Sequence, residues 1–155
     1  MTIYLGADHR GFQLKEKLKK NLEGKNYEVI DLGNDHYDEQ DDYPDFAIKV
    51  AEKVLENLEN NRGILICGSG AGMTIVANKF KDIRAALACS AEMAKMFKDN
   101  DDVNILVLAS DFIKFEQALK IVEIWLKTPF SQDLSKKEVY EHRLNKIKQI
   151  ESQWK

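Results

Sequence analysis

Residues 63–72, with the sequence GILICGSGAG, decide the fold that we expect for this chain. Residues 63–66 form a short apolar run, which is typical of a buried strand in a parallel sheet. A cysteine and glycines that alternate with small residues follow this run, namely Cys67, Gly68, Ser69, Gly70, Ala71 and Gly72. Glycines at this spacing allow backbone N–H groups to turn toward one point, where an anion can bind. The stretch therefore predicts a strand that leads into an anion-binding loop beside a thiol.

Apolar strands alternate with helical patterns along the rest of the chain. Further strands are predicted at residues 2–6, 27–32, 85–89 and 104–108. Helices are predicted at residues 12–22, 44–59, from the glycine stretch to about 80, 91–97, 111–127 and 135–154. This alternation favours a doubly wound, Rossmann-like α/β fold with a five-stranded parallel sheet flanked by helices.

Size and composition favour one domain over residues 1–155, because the chain is 44% apolar and 32% charged and so can bury a core and stay soluble. We expect residues 2–6 to form the first strand, since the N-terminal stretch lacks the basic start of a signal peptide, and no apolar run approaches the ~20 residues of a membrane helix. The net charge of −3 argues against nucleic-acid binding. We interpret the two cysteines as free thiols in a reducing, cytoplasmic setting, with no membrane partner.

The two C-terminal helical patterns predict a subunit interface. Residues 111–127 are apolar on most sides, so this helix should be more buried than a surface helix usually is. Residues 135–154 carry few apolar side chains, so we expect this last helix to pack on a partner subunit.

Ligands of such sheets bind beyond the carboxyl ends of the strands. That rule brings together residues 7–9, 67–72, 89–90 and 109–111. The glycines match the dinucleotide fingerprint only in part, and no acidic residue ends the next strand, at residues 85–89, where a ribose ligand is expected. The loop therefore favours a small anionic substrate over a nucleotide cofactor.

Cys67 has two interpretations. A thiol beside N–H dipoles should be acidified, and the thiolate removes protons or attacks carbon. The alternative is a buried structural cysteine. Cys89 also ends a predicted strand but lacks following glycines, so we interpret it as structural.

Asp8 and His9 end the first predicted strand. Asp8 suits a helix N-cap, whereas His9 can move protons near neutral pH. Residues 38–45 form an acidic loop that is mostly solvated, but the hydroxyl of Tyr43 lies just before a helix, where it can hydrogen-bond a sugar.

Taken together, these motifs resemble the family of ribose-5-phosphate isomerase B and galactose-6-phosphate isomerase. The matching segments are residues 6–9 with Gly11 and Phe12, residues 42–44, 63–72, 77–79, 83–85 and 104–106. Their order and spacing match over nearly the whole chain.

The resemblance implies an aldose–ketose isomerase for a sugar phosphate, most simply ribose 5-phosphate, with no metal or organic cofactor. In the family the cysteine, here Cys67, carries a proton between C1 and C2. The resemblance also implies that N–H groups of Gly68, Gly70, Ala71 and Gly72 hold the enediolate, that Ser69 relays a proton, and that Asp8 and Tyr43 contact sugar hydroxyls. Family members are homodimers or homotetramers whose sites are shared between subunits.

Two features depart from the family. Many members have a ring-opening histidine and an asparagine where this chain has Asn100 and Asp101, which remain candidate substrate-binding residues. Since asparagine is no general acid, ring opening falls to His9, to water or to an open-chain substrate.

This chain also has fewer of the arginines that bind phosphate in the family. Arg143 matches one of them, whereas Asp111 and Val139 occupy positions where the family often has arginine. Asp111 is well placed to cap the helix at 111–127, and Lys136, Lys137 and His142 are basic groups near Arg143. These departures leave open another substrate of the allose or galactose 6-phosphate type, or a sugar-phosphate-binding protein without catalysis.

Overall fold

The structure is a computed structural model that describes residues 1–154. Over that range it has five β-strands and six α-helices that alternate along the chain. They are β1 (Thr2–Ala7), α1 (Phe12–Gly24), β2 (Glu28–Asp31), α2 (Tyr43–Leu55), β3 (Asn61–Cys67), α3 (Ala71–Ala77), β4 (Ala85–Leu87), α4 (Ala91–Asp101), β5 (Ile105–Ala109), α5 (Phe115–Lys127) and α6 (Lys137–Glu151), the last preceded by a short 3-10 helix at Leu134–Lys136.

The strands form one parallel sheet in the order β2-β1-β3-β5-β4. In its register Ala7 lies beside Ile66, and Cys67 lies beside Ala109. The carboxyl ends of β1, β3 and β5 therefore meet at one edge. The predicted doubly wound α/β fold is confirmed.

Two apolar cores cover the two faces of the sheet, and β3 contributes to both. Ile64 and Ile66 point into the core formed with α1 and α5. Leu65 and Cys67 belong to the other core, formed with α2 and α3. This alternation follows from the two-residue period of a strand. It places the Cys67 thiol on the face of the sheet that α2 and α3 cover.

Several predicted helix boundaries are wrong by two to four residues, and two of these differences lie near the ligand edge or β4. The third helix ends at Ala77 because the Asn78 amide bonds both backbone groups of Ala85, at 2.8 and 2.9 Å, and turns the chain toward β4. The fifth helix begins at Phe115, with Lys114 as its N-cap, so Asp111 does not cap it. Instead, the backbone N–H of Asp111 donates to the carbonyl of Gly68 at 3.1 Å.

The two C-terminal helices differ in burial. α5 is held in the core by Trp125, whose indole N–H donates to the carbonyl of Val103 at 3.2 Å. α6 buries only Tyr140 and Glu151, while its Val139 and Ile150 are about half exposed, at 49% and 57%. The predicted last helix is present, and its packing on a partner stays a prediction. No helix among residues 1–154 is both long enough and apolar enough to cross a membrane.

Candidate active site

The segments that follow β1, β3 and β5 meet through backbone hydrogen bonds. The N–H of Asp8 donates to the carbonyl of Ile66 at 3.3 Å, and the N–H of Ser110 donates to the carbonyl of Cys67 at 3.0 Å. The Ser110 hydroxyl also lies 3.0 Å from the carbonyl of Arg10. These bonds bring together three of the four segments expected at this edge. In the fourth, Ser90 caps α4 and Cys89 is exposed.

Cys67 lies inside the glycine loop. Its Sγ accepts the backbone N–H of Gly70 at 3.2 Å, and the residue is only 5% exposed. Gly70 adopts a φ of 77°, which glycine reaches without the steric penalty of a side chain. Ser69 and Ala71 are exposed at the rim, and the N–H of Ala71 lies 3.4 Å from the Ser69 hydroxyl. The expected combination of a thiol and turned backbone amides is present.

Burial raises the pKa of the Cys67 thiol above its ordinary value, and the carboxylate of Asp8 adds to this rise. The N–H groups of Gly70 and Met73 and the charge of Arg10 act in the opposite direction, but desolvation outweighs them. The expectation of an acidified Cys67 is therefore wrong for the free protein. Its thiol is protonated at neutral pH.

Tyr43 contacts the same loop from the start of α2. An added Cβ at Gly72 would lie 2.6 Å from the Tyr43 ring and 3.1 Å from its hydroxyl. Tyr43 is 39% exposed, so its ring covers the loop while its outer edge remains accessible. The position after the acidic loop thus places an aromatic hydroxyl beside the glycines.

Asp8 is buried at the end of β1, where its Oδ1 accepts the N–H of Gly11 at 2.9 Å. The N-cap residue of α1 is Gly11, so Asp8 supports the turn before the helix and does not cap it. Burial raises the pKa of the Asp8 carboxyl, and the neighbouring Asp41 also raises it.

His9 contacts an acid that the sequence analysis did not single out. The Nδ1 atom of His9 lies 2.8 Å from Oδ1 of Asp41, and the same oxygen accepts the backbone N–H of His9 at 3.0 Å. Asp41 belongs to the acidic loop that we interpreted as mostly solvated, but its side chain is only 6% exposed. Its position two residues before Tyr43, a candidate site residue, was the signal in the sequence that could have identified Asp41.

Arg10 is the second residue that sequence reasoning missed. Its guanidinium lies directly over Gly68, where an added Cβ would clash with Nε and would displace the guanidinium. It also forms an ion pair with Asp111. Arg10 follows His9 at the predicted ligand edge, and this position was the signal for a basic group at the site.

The remaining predicted residues lie on α4 and α6. Arg143 stacks over the ring of Tyr140, 5.9 Å from its centre, and its charge acts on the carboxyl of Asp101, whose pKa is raised overall by desolvation. Asn100 precedes Asp101 in the last turn of α4. No hydrogen bond or ion pair among residues 1–154 joins Asn100, Asp101 or Arg143 to residues 67–72. The structure therefore separates the candidates into a group around Cys67 and a group on α4 and α6.

A cavity of about 390 Å³ lies beside the second group, lined by Arg84, Asp101, Ile147 and Trp154 among others. Among residues 1–154 no three His, Cys, Asp or Glu side chains cluster as a metal site would require.

The comparisons with known proteins agree on one family. The family model described as Ribose/Galactose Isomerase matches residues 3–147. A probable ribose-5-phosphate isomerase B of Mycoplasma genitalium is 42% identical over 129 residues, which cover 83% of this chain and 85% of that protein. A ribose-5-phosphate isomerase B of Mycobacterium tuberculosis is 36% identical over 132 residues, or 85% of this chain and 81% of that one.

Solved structures show the same likeness. The crystal structure of ribose-5-phosphate isomerase B from Mycoplasma genitalium with bound ribulose-5-phosphate superposes with a TM-score of 0.92 at 38% identity, covering 99% of this chain and 97% of that one. The enzyme from Clostridium thermocellum gives a TM-score of 0.91 at 42% identity over the whole of both chains. This chain therefore belongs to the ribose/galactose isomerase family of enzymes.

Proposed function

We propose that this protein interconverts ribose 5-phosphate and ribulose 5-phosphate through an enediolate, with Cys67 as the base. The observation that carries the proposal is the buried Sγ of Cys67, 3.2 Å from the N–H of Gly70 in a loop of further amides. The relative from Mycoplasma genitalium, solved with ribulose-5-phosphate bound, supports the choice of substrate.

The reaction moves one proton between two neighbouring carbons. The Cys67 thiolate removes the C2 proton of the open-chain aldose, and the electron pair forms a C1–C2 double bond while negative charge develops on O1. The thiol then returns the proton to C1, and C2 becomes the ketone. The N–H groups of Gly68, Gly70, Ala71 and Gly72 donate to the enediolate oxygens. Because this charge exists only during the reaction, fixed amides stabilise the transition state more than the substrate.

The other residues near Cys67 have supporting roles in this proposal. Ser69 is exposed at the rim of the loop, where its hydroxyl can transfer a proton between O1 and O2. Asp8 and Tyr43 bind sugar hydroxyls on the two sides of the glycines. Since the pKa of Cys67 is raised, only a fraction of the free enzyme holds the thiolate at neutral pH, and turnover should rise with pH.

The phosphate is held by cations from two places. Arg10 lies over Gly68 in the same protomer. Arg143, with Asn100 and Asp101 nearby, does not reach Cys67 within one protomer, so we assign these residues to the site of a partner subunit. The exposed apolar residues of α6, Val139 and Ile150, suit such an interface, in a homodimer or homotetramer.

A different sugar phosphate is the second candidate, and one observation favours it. Asp111 stands where the family often has a phosphate-binding arginine, and its carboxylate pairs with Arg10. An activity panel of ribose, allose, galactose and ribulose phosphates decides between the substrates. A strong preference for ribose 5-phosphate supports the first candidate, and a preference for a hexose phosphate supports the second.

The Cys67→Ala variant tests the chemistry. We expect it to fold, to bind ribulose 5-phosphate and to lose both turnover and the exchange of substrate hydrogen with heavy water. Cys89→Ala is the matched control and should keep full activity. Undiminished turnover in Cys67→Ala would overturn the role of Cys67. Binding of the sugar phosphate by the wild type without any hydrogen exchange would show a binding protein without catalysis.

A further inference from the structure

One carboxylate oxygen fixes both the backbone and the ring of His9. Oδ1 of Asp41 lies 3.0 Å from the His9 amide nitrogen and 2.8 Å from its Nδ1. The Asp41 side chain is 6% exposed, whereas His9 keeps 26% of its side chain exposed at the ligand edge of the sheet. The acid is thus enclosed while the histidine remains accessible.

Asp41 is itself held by a buried network. Its other oxygen, Oδ2, accepts the side-chain amide of Asn34 at 3.1 Å. The carbonyl of Asn34 accepts the Nζ of Lys15 at 2.7 Å, and this fully buried ammonium also bonds Asp31 at 2.6 Å. The loop between β2 and α2 is therefore anchored to α1, and Asp41 is positioned before any substrate arrives.

The hydrogen bond to Asp41 sets the state of the imidazole. With Nδ1 donating to the carboxylate, Nε2 is the nitrogen left for a substrate. The hydrogen bond to Asp41 raises the pKa of His9, and the charges of Asp8 and Glu39 raise it further against a small desolvation effect. The ring of Tyr37 also packs edge-on against the imidazole, with a centre-to-centre distance of 6.2 Å. The His9 ring accordingly keeps its second proton to higher pH than a free imidazole does, and Nε2–H can donate it.

The proposed reaction needs such a donor, because ribose 5-phosphate exists mainly as a closed furanose. Opening it breaks the bond between C1 and O4, adds a proton to O4 and removes the proton of the C1 hydroxyl. The other two histidines stand elsewhere: His36 pairs with Asp35 in an exposed loop, and His142 is exposed on α6. His9 adjoins Asp8, whose charge acts on Cys67.

We infer that Asp41 is a positioning residue that holds His9 as the proton donor for opening of the sugar ring. Nε2–H of His9 gives its proton to O4 as the C1–O4 bond breaks, and water takes the proton of the C1 hydroxyl as the C1 carbonyl forms. His9 regains its proton from solvent. This inference rests on the proposed function, since it assigns a step of the same reaction.

The experiment compares two partial reactions in the Asp41→Asn variant. Isomerisation of ribose 5-phosphate includes ring opening, whereas exchange of the C1 hydrogen of ribulose 5-phosphate with heavy water does not, because its phosphorylated O5 cannot close a ring. We expect kcat/KM for ribose 5-phosphate to fall at least about tenfold, since a positioned general acid contributes about 10²–10⁴-fold. The C1 exchange should stay within about twofold of the wild type.

A pH profile separates positioning from a purely structural role. In the wild type the ratio of isomerisation to C1 exchange should fall as the pH rises and His9 loses its proton, because C1 exchange needs only the Cys67 thiolate. In Asp41→Asn this fall should begin at lower pH. Glu39→Gln is the matched control, because it removes a neighbouring charge from the same loop without a hydrogen bond to His9, and it should keep both rates. Asp41→Glu should restore part of the loss.

Each outcome decides the inference. Equal isomerisation rates in Asp41→Asn and the wild type, or equal losses of isomerisation and C1 exchange, would overturn it. If Asp41→Asn fails to fold, His9→Gln provides the same comparison of isomerisation with exchange. Failure of the proposed function looks different, because the wild type itself would then show neither isomerisation nor exchange.

Discussion

The Sγ of Cys67 accepts the backbone N–H of Gly70 at 3.2 Å, while the thiol is almost completely shielded from solvent. These two properties shift the pKa of the thiol in opposite directions. The amide favours the thiolate, whereas burial favours the neutral thiol and dominates in the free protein. A thiol of this kind should react slowly with reagents in solution.

Thiol alkylation tests this balance. We expect iodoacetamide to modify the exposed Cys89 faster than the buried Cys67 at neutral pH, because the pKa of Cys67 is raised and its Sγ is shielded. Labelling of Cys67 should increase with pH as the thiolate forms. Peptide mass spectrometry of the partly labelled protein measures both rates, and Cys89→Ser isolates the slower one. Faster labelling of Cys67 would contradict the account.

The sheet and its ligand edge could be predicted because their signals are local. The predicted strands end at residues 6, 66 and 108, one residue before the observed ends at Ala7, Cys67 and Ala109, and the rule for parallel sheets brings those ends together. The raised pKa of Cys67 could not be predicted in this way. It depends on how α2 and α3 cover that face of the sheet. The spacing of residues 63–72 contains no information about this packing.

Contacts between residues that are far apart in the chain also could not be predicted from the sequence. His9 and Asp41 are 32 residues apart, and Arg10 and Asp111 are 101 residues apart. A charged side chain in a polar loop has the same sequence signature whether it is solvated or paired. Only the packed loop between β2 and α2 distinguishes the buried Asp41 from its exposed neighbours.

Gly72→Ala should disturb the site without unfolding the protein. The new Cβ would lie 2.6 Å from the Tyr43 ring, so the ring must move away from the glycine loop. We expect KM for the sugar phosphate to rise about tenfold, while the free energy of unfolding changes by less than about 1 kcal/mol, since alanine is the better helix former. Steady-state kinetics and urea denaturation measure the two effects.

Gly24→Ala is the matched control for this variant. Gly24 is the last residue of α1, and an added Cβ there meets no atom within 4 Å. We expect unchanged kinetics and a gain in stability of up to about 1 kcal/mol. Unchanged KM in Gly72→Ala would mean that the position of Tyr43 is irrelevant to substrate binding.

Lys15→Ala should lower the stability of the fold. Lys15 is fully buried, and its Nζ bonds Asp31 at 2.6 Å and the carbonyl of Asn34 at 2.7 Å. Removing this ammonium takes the buried cation from Asp31, which keeps the partly exposed Lys19 as its cationic partner, and leaves the Asn34 carbonyl without its donor, so we expect a loss of about 3 kcal/mol. Lys19→Ala is the control, because Lys19 pairs with the same Asp31 at 3.1 Å but is 33% exposed. The free energy of unfolding of Lys19→Ala should fall by less than about 1 kcal/mol. Similar losses in both variants would show that burial of the ammonium does not matter for stability.

Arg10→Gln should weaken phosphate binding. The Arg10 guanidinium lies over Gly68, next to the proposed enediolate site. A hydrogen bond to a charged group contributes about 1.5–3 kcal/mol, so KM for ribose 5-phosphate should rise about 10- to 100-fold. Competitive inhibition by inorganic phosphate should weaken in parallel, and kcat should change less. Lys17→Gln is the control, because it removes a positive charge more than one turn into α1. An unchanged inhibition constant for phosphate in Arg10→Gln would exclude Arg10 from the phosphate site.

The pairing of His9 with Asp41 should also make stability depend on pH. Because Asp41 raises the pKa of His9 in the folded state, protonated His9 stabilises the fold, and this contribution is fully present below the unfolded pKa of about 6.5. It is lost as the pH rises through the higher folded pKa. The difference in free energy of unfolding between the wild type and Asp41→Asn should therefore be larger at pH of about 6 than at pH of about 9.

Urea denaturation at several pH values measures this difference, and Glu39→Gln, which lacks the hydrogen bond to His9, should show a much smaller change with pH. A part of the difference should persist at alkaline pH, because Asp41 also accepts the backbone N–H of His9 at 3.0 Å, and that bond does not titrate with the ring. A difference that stays constant across this range would mean that Asp41 holds only the backbone of His9, and the ring would then have no fixed proton to donate.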